Sequence, residues 1–175
     1  MPSTDTVLRG LDVPCEAIRA ALDELEWLTA YGRAELLVRN AERPNERFYA
    51  VPDPDSDTEY IDLWPEDARC NYAWLTAGRV TSADGAQRVA PLSVFVVYDR
   101  RKLPPAIGSD EALVYAICER IEHNRRTRVV AFRRAHAPQA VFREARLKTA
   151  PEILLRRPYG CCRINFSTSW LPNCP

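Results

Sequence analysis

The chain has 175 residues, of which 46% are hydrophobic and 27% charged, a size and composition that can hold one globular core and exclude wholesale disorder. No apolar run approaches the roughly 20 residues that span a bilayer. The opening segment carries Asp5, Arg9 and Asp12 with no long apolar stretch behind it, which excludes a secretory signal and predicts synthesis and retention in the cytosol. The formal net charge is zero, yet residues 1–87 hold 17 acidic and 8 basic side chains, a net of −9, whereas residues 88–175 hold 7 and 16, a net of +9. Such asymmetry fits a nucleic-acid face, complementary faces on neighbouring subunits, or a solvated dipolar surface paired within one copy.

The first element covers residues 14–30. Ile18, Ala21, Leu22, Leu25 and Leu28 recur at helical spacing, with Glu16, Arg19, Asp23 and Glu26 on the other side; this predicts an amphipathic helix with one face packed. Pro14 suits its first turn and Gly32 can close its far end. Residues 34–39 (AELLVR), 47–51 (RFYAV), 60–63 and 71–76 (NYAWLT) are short aromatic or β-branched runs. Breakers separate them, among them Arg43-Pro44-Asn45 and the acidic loop that starts at Pro52, so they predict antiparallel strands. Asp84-Gly85 suits a hairpin turn, and residues 92–98 (LSVFVVY) are apolar enough to lie centrally in a sheet.

Ser109, followed by Asp110 and Glu111, starts a second helix near residues 109–123, a serine cap with two acids at the positive end of the dipole. Its apolar stripe is Leu113, Val114, Ile117, Cys118 and Ile121, and His123, Asn124, Arg125 and Arg126 close it. Residues 128–132 (RVVAF) predict a strand and residues 140–147 a short helix. In the last element Cys162, Ile164, Phe166, Thr168 and Trp170 alternate with Arg163, Asn165, Ser167 and Ser169, which predicts a half-buried strand exposing a polar face. Together these elements predict a single α+β domain over residues 1–175. Its sheet is mostly antiparallel and is packed by the N-terminal amphipathic helix and the second helix.

Chemistry finds little support in the residues. Six cysteines occur without a C-x-x-C pair, and His123 and His136 are the only histidines, so the paired spacing of a zinc site is missing. Reduced thiols buried as small apolar groups are the expectation, with Cys161 and Cys162 pointing to opposite faces of a strand. Cys118 and His123 stand five apart around a helix end, where side chains do not meet. Asp53, Asp55, Asp57 and Glu59 imitate a calcium loop, but Pro52 and Pro54 intrude and the loop glycine and bidentate glutamate are lacking. No phosphate-cradling or nucleophile-elbow motif occurs. The expectation is a protein that is not an enzyme and holds no cofactor and no metal. The stretch 120–148 carries 9 basic and 2 acidic residues, with Phe132 and Phe142 between them. That supports an alternative, a nucleic-acid-binding accessory protein using this strip.

An N-terminal amphipathic helix, antiparallel strands, the strand LSVFVVY, the capped helix SDEALVYAICERIEHN and the alternating strand GCCRINFSTSW follow one another. This layout resembles the tail terminator proteins of long-tailed phages over nearly the whole chain. The phrase from Phe48-Tyr49 through Tyr60, Leu63 and Trp64-Pro65-Glu66-Asp67 to Tyr72 is similar to phage structural proteins. The chain is longer than compact members of that family by a segment around residues 50–81. The resemblance implies a structural virion protein, assembled in the host cytoplasm, that forms a ring, commonly of six copies, at the head-proximal end of the tail. Such a ring ends tube growth and joins tail to neck. Its partners are copies of itself, the tail tube protein and neck or connector proteins, with no membrane and at most transient DNA contact in the lumen. A ring closes through two different patches on each copy, which the two charge blocks could supply. On that reading the acidic loop at Asp53, Asp55 and Asp57 meets Arg125, Arg126 and Arg128 of the next subunit.

Overall fold

The structure, a computed structural model, describes residues 10–38, 42, 47–53, 56, 59–63, 71–83, 87–123, 128–145 and 158–171. Helix α1 (Asp12–Asp23) buries Cys15, Ile18 and Leu22, while Arg19 bridges Glu16 and Asp23 on its outer side. It stops seven residues short of the expected end. Two tight turns follow, with the N–H of Leu25 bonded to the carbonyl of Leu22 (3.0 Å) and that of Leu28 to the carbonyl of Leu25 (2.8 Å). A three-residue repeat of leucines suits turns of this kind as well as an α-helix, which is why the spacing overextended the element. Asp23 then accepts from the Ala30 N–H at 3.2 Å, and the chain enters strand β1 (Thr29–Arg33). Gly32, expected to close the helix, lies inside that strand.

Strands β2 (Glu35–Val38), β3 (Arg47–Pro52) and β4 (Tyr60–Asp62) form a small antiparallel sheet in that order. The main sheet contains β5 (Tyr72–Ala77), β6 (Thr81–Ala83), β7 (Gln87–Asp99), β8 (Arg128–Ala135) and β9 (Tyr159–Trp170). Its order is β1-β5-β7-β9-β8, with the short β6 paired to the start of β7. All neighbours are antiparallel except β1 and β5. The expected hairpin is present as the β6–β7 pair, Ala83 opposite Gln87; Asp84 and Gly85 at its tip lie outside the described residues. The fold is α+β, as expected, and β7 sits at the centre of the sheet.

Alternation along the strands builds two cores. On one face Ala73, Leu75, Val94, Val96, Cys162 and Ile164 meet α1 and helix α2 (Asp110–His123). Ser109 caps α2, its Oγ accepting the Ala112 N–H at 3.1 Å. On the other face Trp74, Phe95 and Val97 meet Tyr49 and Val51 of the small sheet and Val141 and Phe142. The last two follow from the short helix α3 (Pro138–Val141), which a 3-10 turn (Arg143–Ala145) continues. Trp74 stacks on Phe95 with ring centroids 5.1 Å apart and planes 6° apart, the kind of aromatic contact that adds to area burial. The sheet is thus covered on both sides, which corrects one expectation. The polar side of β9 is open only in part: Asn165 and Ser167 are half-buried along the cleft, whereas Arg163 is only 7% exposed and lies beneath the second layer.

Candidate functional site

Among the described residues, burial keeps the thiols in their neutral form. Burial pushes the Cys118 thiol up to about 11 and the Cys161 thiol up to about 12, and raises Cys162 as well, so thiolate is scarce at neutral pH. Cys161 and Cys162 belong to opposite cores, as their alternation requires. His123 is exposed, and its Nδ1 donates to the Glu119 carbonyl at 2.7 Å; it makes no pair with Cys118. Among the described residues no group of three metal-ligating side chains comes together.

The acidic loop follows β3. The Asp53 N–H donates to the Glu59 carbonyl (3.0 Å) and the Ser56 N–H to the Asp53 carbonyl (3.2 Å), bonds that close the β3–β4 connection. Asp55, Asp57, Arg125 and Arg126 lie outside the described residues, and Arg128 opens β8. Of the residues expected to meet between neighbouring copies, the described ones are Asp53, just after β3, and Arg128, the first residue of β8.

A second polar constellation escaped the sequence reading. A cleft of about 940 Å³ lies over the second face of the main sheet, where Arg33, Arg133, Arg143 and Arg163 outnumber Glu35 and Glu144. At its floor Arg163 donates to Glu144 (2.5 Å), to Asn165 Oδ1 (2.7 Å) and to Ser93 Oγ (3.1 Å). Its guanidinium also stands 4.8 Å from the centroid of the Phe95 ring. Glu144 takes a second bond from Arg143 (2.8 Å) and one from the Tyr49 hydroxyl (3.3 Å). Burial raises the Glu144 carboxyl, but the Arg163 and Arg143 bonds outweigh it and hold the group below its ordinary value. The same burial and the neighbouring Glu144 charge push the Tyr49 hydroxyl up, so Tyr49 is a donor and not a base. This network clamps the turn after α3 onto β9. Alternation places Arg163 on the polar side of its strand, but nothing in the sequence reveals that a second layer covers that side.

Topology also distributes the charge. The segment of α1, β1 and β2 (residues 10–38) holds six acids and two arginines, and the described residues from β3 through β4 include Asp53, Glu59 and Asp62 beside one base, Arg47. At the edge of the main sheet opposite β1, β8 (Arg128–Ala135) holds Arg128, Arg133 and Arg134, while the turn after α3 carries Arg143 and Glu144 over the second face, in the same cleft as Arg33 and Glu35. Arg133 and Arg134 are exposed on that edge, and Arg143 is exposed over the cleft. Arg120 pairs with Glu24 across the two halves of the chain at 2.9 Å. Arg33 with Asp12, Arg100 with Asp110, Arg101 with Asp99 and Arg134 with Glu111 pair within a half.

No family model matches the chain, and a search of curated proteins finds no match for it either.

Proposed function

We propose that this chain is a structural subunit of a long-tailed phage tail. In this reading it forms a homo-oligomeric ring at the head-proximal end, ends growth of the tube and provides the surface that joins tail to neck. One observation supports the reading: among the described residues, exposed Arg133 and Arg134 lie on the edge strand β8 of the main sheet, whereas Asp53 and exposed Glu59 lie in the β3–β4 connection of the small sheet. A heterologous contact that closes by rotation needs two unlike, complementary patches on each copy, and opposite charge sets their register and partner choice. The order of elements, which resembles tail terminators, adds the phage context.

Electron microscopy of the purified protein mixed with phage tail tubes tests this. Rings seated at one end of each tube are the expected image. Tubes that continue to lengthen, with protein bound nowhere or along their sides, would sink the reading. The exposed arginines of β8 also favour a second reading, a nucleic-acid-binding accessory protein. That one requires a DNA or RNA affinity that falls steeply with salt.

A further inference from the structure

Residues directly opposed on neighbouring strands send their side chains to the same face of a sheet. Register aligns one such polar row across four strands of the main sheet. Thr76 of β5 lies opposite Ser93 of β7, Ser93 opposite Asn165 of β9, and Asn165 opposite Arg133 of β8. With strands about 4.8 Å apart, the row runs about 14 Å across the second face. All four residues line the cleft of about 940 Å³, a space in the range of small-molecule sites.

Arg163 fixes the polarity of this floor. A guanidinium only donates, so the Asn165 oxygen must face its Nε (2.7 Å) and the Ser93 hydroxyl must accept from its Nη2 (3.1 Å). The Ser93 proton is then committed to the same Asn165 oxygen, at 2.7 Å. With Oδ1 accepting twice, the Asn165 amide turns its donor end, Nδ2, away from both, and its neighbour in register on the side away from Ser93 is Arg133. Around this end Arg133, Arg143 and Arg163 meet one acid, Glu144, whose two oxygens are engaged by Arg143 and Arg163. The end toward β1 is balanced: Glu35 stands there with Arg33, which pairs with Asp12. Leu36 and Ala77 add an apolar lining to that end.

We propose that this cleft binds a small organic oxyanion, a carboxylic acid or a phosphate monoester. Its charged oxygens lie between Arg133, Arg143 and the Asn165 amide, and its body extends over Ser93 toward Leu36 and Ala77. Arginine recognises either headgroup through paired N–H donors. Arg163, held 4.8 Å from the centroid of the Phe95 ring beneath them, adds positive charge from a preset position. A cationic end and a neutral, partly apolar end give the ligand one orientation. The site needs one copy of the chain only, so it stands or falls apart from the ring reading.

Chemical-shift titrations of the wild type at pH 7 with phenyl phosphate and with benzoate test the site. At least one probe should saturate with a Kd below about 1 mM, and the tighter of the two identifies the headgroup. Asn165→Asp keeps the oxygen that Arg163 and Ser93 need but replaces the amide donor with a carboxylate oxygen. Arg133→Gln removes the charge at the end of the row. Each should weaken binding about tenfold or more. Arg134→Gln makes the same change in net charge one residue along, where the side chain lines the groove on the helix side, and should stay within about twofold of the wild type. Circular dichroism confirms folding, and if Asn165→Asp unfolds the chain, the exposed pair Arg133 and Arg134 carries the comparison. Two probes that both bind more weakly than about 1 mM would overturn the site. So would equal losses in Arg133→Gln and Arg134→Gln, or binding that Arg133→Gln leaves unchanged.

Discussion

Glu144 accepts from Arg143 through one carboxylate oxygen and from Arg163 through the other, so a single acid neutralises two guanidinium groups over the second core. Arginine keeps its charge at any accessible pH, so the acid governs how this network titrates. Because the Glu144 carboxyl lies below its ordinary value in the folded chain, its contribution is fully present above about pH 4.3. It is lost as pH falls through the lower folded value. Arg163→Met leaves Glu144 half-covered without its main partner and should cost about 2–3 kcal/mol at pH 7. Urea titrations at pH 7 and near pH 2.5 check this: the gap between variant and wild type should narrow in acid. An equal gap at both values would mean that packing against Phe95 matters and the ion pair does not. The role of Arg163 was half-legible in the sequence. Period two assigned it to the polar side of β9, but the cover over that side comes from β3 and the turn after α3, whose docking no local pattern records.

At the scale of elements, apolar periodicity performed well where one face meets one core. The second helix, its serine cap and the central strand β7 lie where the residues place them, because burial on a fixed face leaves a fixed period. The end of α1 was misjudged since leucines three apart satisfy two kinds of turn. Joints between elements are less legible still, and Asn71 is one. It sits in the left-handed region at φ 63° just before β5. Its Oδ1 accepts the Asp99 N–H at 2.9 Å and its Nδ2 donates to the Lys102 carbonyl at 3.2 Å. One side chain thereby ties the start of β5 to the end of β7. Asn71→Ala should destabilise the protein by about 2–3 kcal/mol through the strained backbone and the lost bonds. Asn71→Gly should recover about 1 kcal/mol of that by relieving the backbone alone. Thermal denaturation of both variants decides it, and equal losses would remove the backbone contribution.

For the whole molecule, net charge says nothing and its distribution says a great deal. A chain of formal charge zero folds with exposed Arg133 and Arg134 on the β8 edge of the main sheet and Asp53 and Glu59 beside the small sheet, and the Arg120–Glu24 pair joins the halves across the helices. The charge blocks were legible from residue counts; their separation in space was not, because it depends on the strand order β1-β5-β7-β9-β8. The account stands on the use of that separation between copies. The most direct test is sedimentation velocity of Arg125→Glu with Arg126→Glu beside the wild type, in the presence of tail tubes. The account predicts rings for the wild type and only monomers, with an unchanged circular dichroism spectrum, for the variant. Rings that persist in the variant would contradict the pairing of these arginines with the acidic loop of a neighbour.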